Sequence, residues 1–239
     1  MIDYSSPTFL KIRRIGQKLG VLRPMVRTYR RLMGTAYEES FDNTMLALVK
    51  PGQIVWDIGA NVGVFTKKFS DSVGPAGRVL AFEPSPGTFE TLKRETAGRA
   101  NVSALNIALA DFSGTAKFAE SSESDDPTNS LLKQSTGGAG AGNLVEVEVF
   151  RMTDYIRSNP AHFPNLIKVD VEGFEDSVIE GGKEILNDQR LQCVCVEVHF
   201  LELNKRGKDD GATKISESLR QAGFAIRWTD PSHIVATRH

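Results

Sequence analysis

A short apolar run, Ile54 to Ile58, passes through Gly59-Ala60-Asn61-Val62-Gly63 straight into an amphipathic stretch that begins at Val64. A strand that turns this sharply into a helix is the opening unit of a parallel sheet, because parallel neighbours need a crossover that a helix supplies. The rest of the chain repeats the pattern. Apolar runs at Ile54 to Ile58, Arg78 to Glu83, Val102 to Leu109, Leu166 to Val171 and Val194 to His199 read as strands covered on both faces, with helices between most of them. A helix is expected around Phe41 to Val49, and a last one at Ile215, Leu219 and Ala222, stopped by Gly223. Two short strands, Ala225 to Thr229 and Ile234 to Thr237, follow it. Lys117 to Glu120 and Val145 to Phe150 suggest a hairpin-like pair around residues 121–143, whose Ser, Asp and Gly content cannot supply a core. That insertion reads equally as a lid and as an inert loop. The expected domain runs over residues 44–239, preceded by an extension, 1–43.

Charge confines the partners. The chain carries 29 basic and 30 acidic residues, so its overall balance does not point to a polyanion. Between Phe9 and Met33, however, Lys11, Arg13, Arg14, Lys18, Arg23, Arg27, Arg30 and Arg31 meet no acidic residue. Ile12, Ile15, Leu19, Leu22, Val26, Tyr29 and Met33 step by three and four there, predicting basic amphipathic N-terminal helices. They suit packing on the main domain; peripheral contact with an anionic membrane surface or substrate stays open beside that. Cys193 and Cys195 lie two apart in an apolar run, where a strand would point both the same way without pairing. Free thiols, no membrane-length apolar stretch and no secretory pattern lead to the expectation of a cytoplasmic protein, peripheral at the membrane at most.

The loop after the first strand carries the chemistry. Open α/β sheets hold ligands beyond the carboxyl ends of their strands. Gly59 and Gly63 permit a tight turn and a close backbone approach, and loop N–H groups can receive a carboxylate. Glu83 closes the next strand twenty residues after Gly63, where a carboxylate can accept from ribose hydroxyls. The loop reads D-x-G-x-N-x-G, not G-x-G-x-x-G, and Asp57 would repel a pyrophosphate. A zwitterionic amino-acid ligand bearing a sulfonium suits it better, with Asp57 near the ammonium. A nicotinamide oxidoreductase and a noncatalytic binding module of the same fold remain alternatives. A nucleic-acid methyltransferase lacks its marker, a short Pro-aromatic loop for a flipped base, so no nucleic-acid partner is expected.

Four segments resemble the FkbM family of class I methyltransferases: Asp57 to Gly63, Phe82-Glu83-Pro84, Asn106-Ile107-Ala108-Leu109, and Ile167-Lys168-Val169-Asp170-Val171-Glu172-Gly173. The similarity runs from about Pro51 to His199. It implies a Rossmann-like doubly wound sheet of about seven strands, mostly parallel with the last antiparallel. It also implies S-adenosyl-L-methionine as methyl donor and O-methylation of a hydroxyl on a sugar, glycolipid or secondary metabolite. Carried over by position, Asp57, Gly59, Ala60, Asn61 and Gly63 would line the methionine part, Glu83 and Pro84 the ribose, and Asn106 to Ala108 the adenine side. Neither the acceptor nor the oligomeric state follows from it.

An alcohol must lose its proton as the new bond forms, which calls for a base or a cation near the oxygen. Asp170 is the first candidate, because a charge that ends an apolar strand is costly unless paired or useful. His199 is the second; Glu172 and Glu175, at the same strand end and helix start as Asp170, and Glu197, on the strand that His199 closes, should converge with them beside the donor methyl. A helix cap, or a salt bridge to Lys168 or an arginine, for Asp170, and a hydrogen-bonded rim position for His199, are the plain structural alternatives. Asp170, Glu172, Glu197 and His199 could also assemble around a divalent cation, although no metal is assigned. Glu172 and Glu175 could simply favour the start of the next helix.

Overall fold

The computed structural model describes residues 4, 6, 8, 9, 11, 12, 36–120, 130–132 and 143–238. Residues 13–35, which hold most of the expected basic helices, and most of the 121–143 insertion lie outside the described residues.

The chain opens its main body with α1 (Ala36–Leu48), followed by β1 (Ile54–Ile58), α2 (Val64–Val73), β2 (Arg78–Phe82), α3 (Pro86–Glu95) and β3 (Val102–Leu105). Next come β4 (Ile107–Leu109), β5 (Gly114–Glu120), β6 (Ser130–Leu132), β7 (Asn143–Phe150) and α4 (Met152–Ser158). The last part holds β8 (Leu166–Val169), α5 (Glu175–Gly181), α6 (Lys183–Leu186), β9 (Cys193–Glu197), α7 (Phe200–Lys205), α8 (Gly211–Gln221), β10 (Ala225–Trp228) and β11 (His233–Thr237). Phe41 and Met45 of α1 are both buried in one core cluster, so the core-forming helix extends to the N-terminal side of residue 44.

Seven strands form the main sheet in the order β10-β11-β9-β8-β1-β2-β3. Their pairings are parallel except at β11, which runs antiparallel to both β9 and β10. Alternation along β1 separates the two faces: Trp56 and Ile58 join one buried cluster, and Val55 joins the other. Both faces are covered, which is why the strands read as continuous apolar runs. From β1 the chain proceeds to β2 and β3 on one side and later to β8 and β9 on the other. The strand order therefore reverses at β1, and a crevice opens beyond its carboxyl end.

One expected strand is two. The run Val102 to Leu109 breaks at Asn106, whose side-chain amide donates to the carbonyls of Glu83 (2.9 Å) and Pro84 (3.0 Å). The first half, β3, edges the main sheet, and the second, β4, pairs in parallel with β7 in a second sheet ordered β4-β7-β5-β6. Apolarity carries through the break because both halves are buried in different places. The expected hairpin-like pair is present as antiparallel β5 and β7. Ala108, Ala116, Phe118, Val147 and Val149 of the second sheet bury against Phe174, at the start of α5. Cys193 and Cys195 are buried and free on β9, pointing the same way with sulfurs 3.7 Å apart.

Close packing joins the two sheets at Gly181 on α5, where an added Cβ would overlap the carbonyl oxygen of Ala110. Gly181→Ala is therefore expected to lower stability by about 2 kcal/mol through overpacking, read from urea denaturation. A loss under about 0.5 kcal/mol, the scatter of ordinary surface changes, would contradict this approach of helix to strand end.

Candidate active site

The turn from β1 into α2 is left-handed at three positions: Gly59 (φ 76°), Asn61 (φ 50°) and Gly63 (φ 85°). Asparagine tolerates this region better than most side chains. The loop is tied to the end of β2. Gly59 and Ala60 N–H both donate to the Phe82 carbonyl at 3.0 Å, and Asn61 N–H donates to Glu83 Oε2 at 2.9 Å. A Cβ at Gly59 would overlap the Asp170 carbonyl oxygen, and one at Gly63 would lie 2.7 Å from a Leu92 methyl. The space these glycines vacate is thus filled by the protein's own loop after β8 and by α3.

Beneath this loop lies an ionic triad in which Asp57 and Lys168 are buried and Asp170 is half-buried. Asp57 and Lys168 are register partners across β1 and β8. Lys168 Nζ lies 3.3 Å from Asp57 Oδ1, 3.2 Å from Asp170 Oδ2 and 3.5 Å from the Gly59 carbonyl. Its ring-face contact is Phe65, 5.1 Å from the centroid. Burial opposes the lysine charge, but the Asp170 and Asp57 carboxylates outweigh it and hold the ammonium protonated above the usual lysine range. Thr66 donates to Asp57 Oδ2 at 2.6 Å, while Oδ1 makes the ion contact without a hydrogen bond. Asp57 is fully buried, with its charge turned to Lys168. Asp170 is paired as the plainer sequence alternative anticipated.

Glu83 stands at the end of β2, also buried. Its Oε1 accepts from Ser85 N–H and its Oε2 from Asn61 N–H, both at 2.9 Å. Burial raises its pKa to about 7 against the opposing pull of those two donors. Each oxygen still has an unspent lone pair. Pro84 follows in the segment held by Asn106, and the Ala108 side chain packs into the cluster under the second sheet.

The remaining candidates meet beyond β8 and β9. His199, immediately before α7, donates from Nδ1 to Glu175 Oε1 at 2.7 Å. Its Nε2 faces three carboxylates: Glu172 Oε2 at 3.3 Å, Glu197 Oε1 at 3.7 Å and Asp170 Oδ1 at 3.8 Å. Burial works against the imidazolium, yet Glu175, Asp170 and Glu172 raise its pKa to about 10. Glu172 sits at φ 48°, an uncommon conformation for a residue with a Cβ. Burial pushes its carboxyl up to about 7, with His199 pulling it down and Asp170 pushing it further up. Glu197 also faces His233 Nε2 at 3.4 Å, and His233 Nδ1 lies 2.8 Å from both Asp230 oxygens. Despite its burial, Glu197 is held down at about 2 by His233, His199 and Lys168.

Asp170, Glu172 and His199 offer ligand atoms within 4.8 Å of one another. The Lys168 ammonium already lies against Asp170, so a protein cation balances part of this charge. The structure brings together Asp170, Glu172 and His199, and separately Gly59 to Gly63 with Glu83 and Asn106. Glu175, in sequence both a member of the candidate group around Asp170 and a helix-start acid, joins that group through His199, and Lys168, in sequence only a salt-bridge partner, is added. A lysine inside the run Leu166-Ile167-Lys168-Val169 is the signal that could have found the second: a cation there needs a buried counter-charge.

Comparison with known proteins gives the family of the chain. The methyltransferase FkbM domain matches residues 57–226. The hexuronic acid methyltransferase AglP of Haloferax volcanii is 30% identical over 68% of this chain and 62% of its own length. The 31-O-demethyl-FK506 methyltransferase FkbM of Streptomyces tacrolimicus is 28% identical, covering 74% and 75% respectively. The 2-O-methyltransferase NoeI of Sinorhizobium fredii is 26% identical over 60% of this chain and 63% of its own. The match to AglP thus spans less than two thirds of that relative. With the match covering most of the chain and starting at Asp57 itself, this protein belongs to the FkbM methyltransferase family.

Proposed function

We propose that the protein is an S-adenosylmethionine-dependent O-methyltransferase acting on a hydroxyl of a sugar-bearing or secondary-metabolite small molecule. The observation that carries this reading is the double role of Asp170. Its carbonyl closes on Gly59 of the loop after β1, while its carboxylate lies between Lys168 and His199. A donor cradle and a proton-handling cluster therefore share one residue. The names of the relatives support an oxygen acceptor: a hexuronic acid for one, and O- or 2-O-methylation for two others.

The cofactor fits on the chemistry of this donor set. Glu83 is a buried carboxylate fixed by two loop amides with lone pairs to spare, as ribose hydroxyls require. S-adenosylmethionine, when bound, supplies a methyl carbon made electrophilic by its sulfonium. Gly59, Ala60, Asn61 and Gly63 would border its methionine part, with Asp57 acting from below through Lys168. Glu83 and Pro84 would hold the ribose, and Asn106 to Ala108 would border the adenine, Asn106 by fixing the Glu83-Pro84 segment. On the acceptor side, Glu172 takes the hydroxyl proton, since its pKa near 7 suits a base at neutral pH. His199 is held as a cation and steadies the developing oxyanion. Asp170 adds a negative charge beside His199 Nε2.

Among the described residues no helix is long and apolar enough to cross a membrane. A cytoplasmic location, with the basic residues between 9 and 33 touching an anionic acceptor or membrane surface, is part of the proposal. A nucleic-acid partner is not.

Glu83→Ala is expected to weaken S-adenosylmethionine binding about 10- to 100-fold by calorimetry, from loss of charged hydrogen bonds; undiminished affinity removes Glu83 from the cofactor site. Glu172→Gln should spare that binding and slow labelled-methyl transfer to hydroxylated glycan acceptors about 100-fold or more. Full transfer by this variant assigns the proton elsewhere.

Stability should follow the histidines. His199 and His233 have folded pKa values of about 10 and about 9, above their ordinary 6.5. The folded state then binds more protons than the unfolded one between these limits, so their stabilisation is full below 6.5 and is lost as pH rises through 9 and 10. The thermal midpoint is expected to fall from pH 7 to 10, and less steeply in His199→Gln. Parallel slopes for the two proteins would show that His199 is not held charged.

A further inference from the structure

Glu175 is a fully buried carboxylate that the transfer chemistry leaves unused. It lies in the first turn of α5 with no exposed surface, and its Oε1 does two things. It accepts from Gly173 N–H at 2.8 Å and from His199 Nδ1 at 2.7 Å, while Oε2 has no hydrogen-bond partner. A carboxylate taken wholly out of water is costly unless strongly paired. Here the pairing falls on one imidazole and one backbone amide, both beside the acceptor cluster.

The surrounding turn is braced from the other side. Arg206, just past α7, donates to the Gly173 carbonyl and to Asp176 Oδ1 (2.9 Å), with its guanidinium 3.6 Å over the Phe174 ring. A Cβ on Gly173 would overlap the Cβ of Glu202 on α7. Helix α7 is therefore fastened at both ends to the residues that follow Glu172: at its start through His199 and Glu175, at its end through Arg206.

Resting on the reading of His199 and Glu172 as the acceptor side, we propose that Glu175 is a positioning residue. It fixes the His199 ring with Nδ1 turned inward, so that Nε2 faces Glu172, and it holds the Gly173 amide so that Glu172 keeps its left-handed backbone. A second nitrogen turned to a fixed carboxylate is a general way to set which imidazole nitrogen serves the reaction. The groups facing His199 are Glu175 and Glu172 from the turn and α5, Asp170 from the end of β8, and Glu197 from β9. Lys168 stands behind Asp170 and His233 behind Glu197.

Glu175→Gln in the full chain tests this, with His199 followed by long-range proton–nitrogen NMR on histidine-labelled protein, assigned with His199→Gln. No acceptor is needed for that readout. The His199 titration midpoint is expected to fall by at least one pH unit, a tenfold change in proton affinity, while S-adenosylhomocysteine binding is retained. Glu172→Gln should leave the inward Nδ1 proton signal in place. A midpoint within 0.3 pH units of the parent's, in a folded variant, overturns the proposal and reduces Glu175 to a packing residue. Should Glu175→Gln not fold, the parent decides: a downfield, slowly exchanging His199 Nδ1 proton supports the proposal, and its absence at pH 7 overturns it. Intact methyl transfer in Glu172→Gln and His199→Gln, with the NMR result as expected, would instead refute the acceptor-side reading and leave the Glu175 to His199 link standing.

Discussion

Lys168 is the fixed point of this site. Its ammonium is buried between Asp57 of β1 and Asp170 beyond β8, and it reaches the Gly59 carbonyl as well. Register explains the first contact, because Asp57 and Lys168 are paired residues of adjacent parallel strands. Such an ion group is weak evidence for stability, since apolar replacements of similar volume often do as well, whereas removing a single partner costs about 3 to 5 kcal/mol. What it contributes here is placement. Lys168 ties the loop after β1 to the loop after β8 across the strand at which the sheet order reverses, and the missing Cβ of Gly59 lets the Asp170 carbonyl come close enough for this.

The sheet was legible because its strands follow the rule for buried parallel strands, short continuous apolar runs separated by helical stretches. β1 needed no correction at either end. The exception, Val102 to Leu109, shows what periodicity does not carry. Both halves of that run are buried, so nothing in their apolarity marks a change of sheet. The break is made by the Asn106 amide, which binds two carbonyls more than twenty residues away in sequence.

The site was legible in its residue types and less so in their partners. Asp57, Gly59, Gly63 and Glu83 stand at the strand ends where the motif suggested, but each meets the protein first. Asp57 faces Lys168, Gly59 faces Asp170, Gly63 faces Leu92, and Glu83 takes two loop amides. Glycines in a turn register as room; whether a ligand or a neighbouring loop takes the room depends on contacts that are distant in sequence. The left-handed backbone at Glu172 had no sequence signal at all, since glutamate has no preference for that region. It arises from Glu175 and Arg206 gripping the two polar groups of Gly173.

Charges of alternating sign run along one edge of the sheet, from the carboxyl ends of β1, β8 and β9 to the amino end of the antiparallel β11. Lys168 lies between Asp57 and Asp170, His199 among Asp170, Glu172, Glu175 and Glu197, and His233 between Glu197 and Asp230. Three cationic side chains thus serve six carboxylates, and negative charge is in excess around His199. In a buried setting such an excess is relieved by a bound proton or a cation. Glu172, whose pKa is raised to about 7, is the carboxylate on which that proton is most easily held and released near neutrality. Methylation of a hydroxyl delivers one proton per turnover, so a cluster in which carboxylates outnumber cations is matched to receive it.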